Sequence, residues 1–140
     1  MDLSIVVPTY KERDNIKEII IKIYNELKKH EIKGELIIVD DNSPDGTGKI
    51  ADSLKKKYSY LKVMHRQGKS GLSSAVIAGF KISKGKYLCV MDADLSHPMG
   101  KIHDMYDLIE KEDVDLIIGS RYIPGGQIKG SCGDHGKEAS

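Results

Sequence analysis

The chain has 140 residues, a length that suits one domain with a single hydrophobic core. Charged residues make up 31% of the sequence and the formal net charge is +1, so no strong electrostatic field favours nucleic acid or an anionic membrane surface. We find neither a signal-peptide pattern nor a run approaching the ~20 apolar residues of a membrane-spanning helix. Since Cys89 and Cys132 are far apart, we expect no disulfide and a reducing, cytoplasmic environment.

Short apolar runs alternate with amphipathic stripes along most of the chain. The runs predict five strands, at residues 3–7, 36–39, 61–64, 87–91 and 114–118. Apolar residues at helical spacing predict four helices. Three begin near Ile16, Leu72 and Ile102, and the fourth follows Asp45 or Thr47, either of which could cap it. Strands that alternate with helices imply right-handed crossovers. The pattern therefore predicts an α/β, Rossmann-like fold, with a mainly parallel sheet and helices on both faces.

The most informative stretch is residues 87–98, where an apolar run stops at two carboxylates one residue apart. The run predicts a strand that is buried on both faces and central to the sheet. Because strand side chains alternate, Asp92 and Asp94 are expected to point the same way. A divalent cation would relieve their repulsion. The simpler alternative is that Asp94 caps the next segment and Asp92 ends the strand, and these residues alone do not decide between the two.

Polar side chains follow every predicted strand, at positions that share one edge of a parallel sheet. Ligands bind in the crevice beyond this edge in such folds. The side chains are those of Tyr10, Glu12, Asp40, Asp41, Arg66, Lys69, Asp92, Asp94 and Arg121. Several have a plainer interpretation: Glu12 as an acid favoured by the helix dipole, and Asp40 as part of the following turn. For Arg66 and Lys69, a solvated surface position is as well supported as phosphate binding.

Other phosphate-binding folds match the sequence less well. The sequence Gly68-Lys69-Ser70 ends like a P-loop, but the first glycine of that motif falls at Val63, inside an apolar run. The first predicted strand is followed by P-T-Y-K-E rather than by the glycine-rich turn of a dinucleotide-binding fold. A phosphate-accepting regulatory domain would need its acid pair after the first strand, whereas Asp40 and Asp41 follow the second.

Five motifs, in order, resemble the family-2 glycosyltransferases of GT-A fold. They are V-P-T-Y-K-E (7–12), V-D-D-N-S-P-D-G-T (39–47), G-L-S-S-A (71–75), M-D-A-D-L-S-H-P (91–98) and G-S-R-Y (119–122). Within this family the chain is most similar to the dolichol-phosphate mannosyltransferases. The resemblance covers about residues 3–127, and five motifs in the right order are far more specific than any one of them.

The resemblance implies roles for individual residues. Those expected to hold the nucleotide sugar are Pro8, Tyr10, Glu12, Val39, Asp41, Asp92, Ala93, Asp94 and Arg121. Mg²⁺ or Mn²⁺ on the diphosphate would be held by Asp92 and Asp94, with Ser96 standing where many relatives carry a metal-binding glutamine. The arginine matching Arg121 lies in a mobile loop that reaches the phosphates in relatives. The predicted catalytic residues are therefore Asp92, Asp94 and Arg121.

The resemblance also implies an activity: an inverting, metal-dependent transfer of a hexose to a polyprenyl or dolichyl phosphate. Mannose from GDP-mannose is the expected donor sugar, although no residue distinguishes guanine from uracil. Relatives continue past the G-S-R-Y loop with helices that receive the lipid phosphate, so we expect a truncated chain, and the alternative is a donor-binding module without turnover. We expect peripheral contact with the cytoplasmic face of a membrane in the full-length relative.

Two regions follow from the change in composition near residue 128. Residues 1–128 are the predicted nucleotide-sugar-binding domain. Residues 129–140 contain three glycines and no large apolar residue, which predicts a disordered polar tail.

Overall fold

A computed structural model of the chain describes residues 1–67, 71–95 and 99–111, together with the backbone of three short strands at residues 117–119, 128–130 and 137–139. The chain divides into two compact units, Met1–Ser96 and His97–Ser140.

The first unit is a parallel sheet of four strands joined by helices. Its elements are β1 (Leu3–Thr9), α1 (Ile16–Lys29), β2 (Gly34–Asp40), α2 (Thr47–Leu54), β3 (Leu61–His65), α3 (Leu72–Ile82) and β4 (Tyr87–Val90). The strand order is β3-β2-β1-β4, and every neighbouring pair is parallel. The predicted α/β fold with a mainly parallel sheet is confirmed.

The core lies on the two central strands, β1 and β2. The apolar residues at 5–7 of β1 and 36–39 of β2 are fully buried, on both faces of the sheet, which explains why these strands read as continuous apolar runs. On one face Ala75 of α3 packs with Val6 and Val39. A Cβ at Gly79 of α3 would lie 2.5 Å from Val6 Cγ1, so this helix rests on the sheet at backbone distance. The predicted stripe of α1 is buried as well, at Ile16, Ile19, Ile20, Ile23 and Leu27.

The position of β4 differs from the prediction. We predicted a central strand buried on both faces, but β4 is an edge strand of the four-stranded sheet. Leu88 is 42% exposed and Val90 44% exposed. The physical reason is coverage: Val90 pairs in register with Val6, on the face where α3 lies, but α3 makes its main contacts with β1 and β2. The prediction of a strand from the apolar run was correct, but the prediction that this strand is central and buried on both faces was wrong.

A buried carboxylate connects the strands near their amino ends, at the edge of the sheet opposite their carboxyl ends. Glu35 of β2 is 1% exposed, and its Oε1 accepts hydrogen bonds from Ser4 Oγ and Lys84 N–H, each at 2.6 Å. Lys62 Nζ of β3 lies 2.6 Å from Oε2. Burial raises the pKa of Glu35, but the hydrogen bonds from Lys62 and Ser4 outweigh it, so the pKa is lowered overall. The ionised carboxylate thus connects β1, β2 and β3.

The second unit contains α4 (Gly100–Lys111) and an antiparallel sheet. Its strands are β5 (Ile117–Gly119), β6 (Ile128–Gly130) and β7 (Lys137–Ala139), in the order β5-β6-β7. A strand was predicted at residues 114–118; β5 pairs antiparallel with β6 and is not part of the parallel sheet. Residues 131–136 lie outside the described part of the chain. The domain limit at residue 128 and the disordered tail therefore stay predictions.

Candidate functional site

The carboxyl ends of four parallel strands share one edge of the first unit. They lie at Thr9, Asp40, His65 and Val90. The chain runs from β1 outward to β2 and β3, and then returns to place β4 on the other side of β1. The crevice at such a reversal is where ligands bind in open α/β sheets. The loops that follow these strands carry most of the side chains singled out in the sequence.

The loops after β1 and β2 lie next to each other because the strands pair up to their last residues. Pro8 is in register with Val39, and Thr9 with Asp40. Pro8 is half-buried and Val39 is buried, so the side chain of Val39 belongs to the core. Tyr10 is 37% exposed, with the Lys11 ammonium 5.5 Å from its ring centroid. An exposed aromatic ring at this edge is suited to stacking on a flat ligand.

A buried ion pair lies at the ends of β2 and β3. Asp41 is 7% exposed, and Arg66 Nε lies 3.0 Å from its Oδ1. Despite this contact Asp41 Oδ1 has no hydrogen-bond partner among the described residues, so the pair lacks the alignment of a hydrogen bond. Arg66 Nη1 is also buried without a partner among those residues. Buried polar groups normally have partners, so a ligand that offers both a donor and an acceptor would complete this pair.

The pairing of Asp41 with Arg66 was not predicted, and the surface interpretation of Arg66 is wrong. The arginine side chain is only 12% exposed. A signal was present in the sequence, since the residues that follow two paired parallel strands are neighbours. Asp40 is in register with His65, which brings Asp41 next to Arg66. The signal could not be used because the register of β2 on β3 was unknown.

Two acids near this edge are engaged within the protein. Glu12 Oε2 accepts a hydrogen bond from Asn15 Nδ2 at 3.1 Å, at the start of α1. Glu12 precedes the first residue of α1 by four positions, so its favourable interaction with the helix dipole stays a prediction. Asp40 is 2% exposed and accepts hydrogen bonds from Thr9 Oγ1 at 2.8 Å and Ser43 Oγ at 2.6 Å. Its carboxylate therefore serves the turn, as expected.

The paired aspartates follow β4 at the same edge. Backbone pairing continues one residue past the strand, where Met91 N–H donates to Val6 O at 3.0 Å. Burial alternates from there: Met91 and Ala93 are buried, Asp92 is half-buried and Asp94 is exposed. The alternation fits the prediction that the two carboxylates point the same way.

The donor set suits a divalent ion that arrives with a diphosphate. Mg²⁺ is usually held by one or two carboxylates, with phosphate oxygens and water completing its octahedron. Asp92 and Asp94 would supply those carboxylates. Among the described residues, no group of three or more His, Cys, Asp or Glu is arranged to hold a metal ion. Lys69, Ser96 and Arg121 lie outside the described residues, so their roles stay predictions.

A cavity of about 410 Å³ lies beside this edge, between the start of α2 and the end of β3. Its lining residues are Asp40, Asn42, Ser43, Pro44, Asp45, Gly46, Gly48, Lys49, His65 and Arg66. The volume is in the range of small-ligand sites. Arg66 is shared with the ion pair, whereas Tyr10, Asp41, Asp92 and Asp94 are not in the lining.

In the described part of the chain, no helix is both long and apolar enough to cross a membrane.

Solved structures with the same fold are glycosyltransferases. A mannosyltransferase from Pyrobaculum calidifontis, in complex with GDP-Man and Mn²⁺, is similar with a TM-score of 0.70 and 23% identity, over 80% of this chain and 33% of that one. TarS of S. aureus, in complex with UDP-GlcNAc, gives a TM-score of 0.61 and 26% identity, over 79% of this chain and 32% of that one. The chain therefore has the α/β GT-A fold of these glycosyltransferases.

The sequence makes the assignment more specific. The profile of Glycosyl transferase family 2 matches residues 4–130, and the chain belongs to this family. A dolichol-phosphate mannosyltransferase of Pyrococcus furiosus is 44% identical over 92% of this chain and 36% of its own length. A polyprenol monophosphomannose synthase of Mycolicibacterium smegmatis is 39% identical over 89% of this chain and 47% of its own length. The chain thus spans less than half the length of these curated relatives.

Proposed function

We propose that this chain binds the donor of a glycosyl transfer, a hexose linked to a nucleoside diphosphate, and that the acceptor is a polyprenyl phosphate. The observation that carries the proposal is the placement of Asp41 and of the Asp92–Asp94 pair beyond strands on either side of β1, in a family-2 chain. The similarity to dolichol-phosphate and polyprenol mannosyltransferases supports the acceptor class.

The Asp41–Arg66 pair is our candidate for recognition of the base. Guanine presents an acceptor, O6, beside two donors, N1–H and the exocyclic amino group. Asp41 Oδ1 would accept from those donors, and Arg66 Nη1 would donate to O6. Uracil offers one donor, N3–H, beside the acceptor O4, whereas guanine adds a second donor, so guanine can make one more hydrogen bond to the Asp41 carboxylate. We propose GDP-mannose, the ligand of the Pyrobaculum mannosyltransferase, as the donor.

The chemistry of the acceptor limits what the protein must supply. A phosphate oxygen is anionic near neutral pH and attacks the anomeric carbon without a general base, with inversion at that carbon. Asp92 and Asp94 would hold Mg²⁺ or Mn²⁺, which when bound neutralises the charge on the departing nucleoside diphosphate. We propose that Arg121 pairs with a phosphate, as its forked and permanently charged head allows.

A donor-binding module without turnover is the second candidate. It is favoured by one observation: the candidate residues that the structure describes, Asp41, Arg66, Asp92 and Asp94, are all assigned to the donor and none to the acceptor. Binding and transfer are therefore measured separately. GDP-mannose and UDP-glucose are titrated with Mn²⁺ and with EDTA, and turnover is assayed on a polyprenyl phosphate.

We expect Mn²⁺-dependent binding, stronger for GDP-mannose, and roughly tenfold weaker binding in Asp94→Asn. Turnover would support the proposed glycosyl transfer. Metal-dependent binding without turnover would support the donor-binding module. Absence of nucleotide binding would overturn both. Unchanged Mn²⁺ dependence in Asp94→Asn would remove the role given to Asp94.

A further inference from the structure

Three consecutive backbone amides after β1 donate hydrogen bonds to two side chains of the loop between β2 and α2 and to the side chain of the first residue of α2. The pairs are Lys11 N to Ser43 Oγ at 3.0 Å, Glu12 N to Thr47 Oγ1 at 3.0 Å, and Arg13 N to Asp45 Oδ2 at 3.2 Å. We call the side chains of Ser43, Asp45 and Thr47 the clamp. The clamp holds the loop that carries Tyr10 and Glu12, although no helix or strand ladder connects the two loops at this point.

Ser43 is fixed by the buried Asp40. The serine hydroxyl donates to Asp40 Oδ1 at 2.6 Å, and the serine N–H donates to Oδ2 at 3.0 Å. Thr9 Oγ1 holds the same carboxylate at 2.8 Å. Because the hydroxyl hydrogen of Ser43 points to Asp40, a lone pair on Oγ is oriented to accept from Lys11 N–H.

Thr47 is fixed in a similar way by Asp45. The threonine hydroxyl and its N–H both donate to Asp45 Oδ1, the latter at 3.1 Å. Thr47 is fully buried, so a lost bond there cannot be replaced by water at no cost. The hydrogen bond from the Thr47 side chain is the main reason that the pKa of Asp45 is lowered, which keeps this carboxylate an acceptor for Arg13 N–H.

The loops that the clamp joins contain unfavourable backbone conformations. Lys11 has φ +56° and Asn42 has φ +52°, in the left-handed region that residues other than glycine rarely adopt. Each directly follows a predicted donor-binding residue, Tyr10 and Asp41. Such conformations persist where surrounding contacts fix them, and they concentrate at functional sites. The bond from Lys11 N–H to Ser43 is a contact of this kind.

We propose that Ser43, Asp45 and Thr47 are positioning residues for the donor: through their hydrogen bonds to backbone amides they set the loop bearing Tyr10 and Glu12 against Asp41. The inference rests on the proposed function. Its physical content is preorganisation, because a loop held in its binding conformation loses less entropy when the donor binds. A residue that only supports a helix bonds to its own helix, as Ser53 Oγ does to Ile50 O at 2.6 Å.

The test uses variants that differ in a single hydroxyl group. Thr47→Val keeps the shape of the side chain and removes the hydroxyl, whereas Thr47→Ser keeps the hydroxyl. Ser43→Ala removes the second hydroxyl, and Ser53→Ala on α2 is the matched control. Two quantities are measured on folded protein: the exchange rates of the amide hydrogens of Lys11, Glu12 and Arg13, and the Kd of GDP-mannose with Mn²⁺.

In Thr47→Val and Ser43→Ala we expect the hydrogens of these amides to exchange faster and the Kd of GDP-mannose to rise roughly tenfold. Thr47→Ser and Ser53→Ala should stay within about twofold of the unmodified chain. Faster exchange with an unchanged Kd would mean a purely structural role and overturn the proposal. Unchanged exchange in Thr47→Val would show that the clamp does not hold the loop.

Failure of the proposed function has a different signature. If the unmodified chain binds neither GDP-mannose nor UDP-glucose, the proposed function falls, and the positioning role falls with it. The exchange rates would still report whether the clamp exists. If the unmodified chain binds and only the Kd of the variants fails to move, the proposed function stands and the positioning role alone is wrong.

Discussion

Arg66 stabilises a carboxylate that is almost out of contact with water. Removing one partner of a buried ion pair leaves the other as an uncompensated charge. We therefore expect Arg66→Met to lower the free energy of unfolding by about 2–4 kcal/mol, measured by urea denaturation. The double variant Asp41→Asn, Arg66→Met should recover much of that loss, because no charge stays buried. Equal stability of Arg66→Met and the unmodified chain would mean that Asp41 is hydrated.

Glu35 gives the fold a dependence on acid. Its pKa is lowered in the folded state, so its contribution is present above the unfolded value of 4.5 and is lost as the pH falls through the folded pKa. We expect Glu35→Gln to be less stable at pH 7 by on the order of 1–2 kcal/mol, with the difference shrinking below pH about 4.5.

The matched control for Glu35 is Glu18→Gln. Glu18 pairs with Lys22 at 2.9 Å on the surface of α1, where both side chains are about half exposed. A surface pair of this kind contributes little. Denaturation at several pH values should therefore show a small and nearly constant effect for Glu18→Gln. A difference that persists undiminished at pH 3 in Glu35→Gln would contradict the argument.

Single residues were predicted well where strand ends alone fix their position. Asp41, Asp92 and Asp94 were expected at one edge of the sheet, and the structure places them beyond strands that end there. Arg66 was expected at the same edge, but its burial and its pairing with Asp41 were not predicted, because they depend on a partner from the neighbouring strand. The clamp was missed for the same reason, since hydrogen bonds between two loops leave no period in the sequence.

At the scale of elements, β2 and β4 respond differently to a buried charge. Ile38 is fully buried in β2, whereas Val90 in the edge strand is 44% exposed. We expect Ile38→Asp to lower the free energy of unfolding by about 4 kcal/mol or more, because an unpaired carboxylate is buried. Val90→Asp should cost about 1 kcal/mol, because its carboxylate reaches water. Both are measured by chemical denaturation, and a Val90→Asp chain that fails to fold would restore β4 to the interior.

The positions of the helices and strands in the sequence were largely predictable, but which strands pair with each other was not. The strands and helices of the first unit begin and end within a few residues of the predicted limits, because hydrophobic period and turn residues are local signals. An apolar run reports how hydrophobic a strand is, but not which strands pair with it. The edge position of β4 and the antiparallel pairing of β5 with β6 are therefore facts of tertiary structure.

At the scale of the whole molecule, donor binding should stabilise the folded chain. A ligand that binds only the folded state adds about 2.7 kcal/mol at 100 times its Kd. We expect GDP-mannose with Mn²⁺ to raise the Tm of the chain, and EDTA to abolish the shift. An equal shift with GDP-mannose in EDTA would separate nucleotide binding from the metal.

Because α3 packs on the sheet at backbone distance, the residues allowed at two positions far apart in the sequence depend on each other. Val6 occupies the space that a side chain at residue 79 would need, with Val6 Cγ1 only 2.5 Å from where a Cβ would stand. A homologous chain with alanine or serine at position 79 should therefore carry a smaller residue than valine at position 6. Across an alignment the two columns would covary, although 73 residues of sequence separate them.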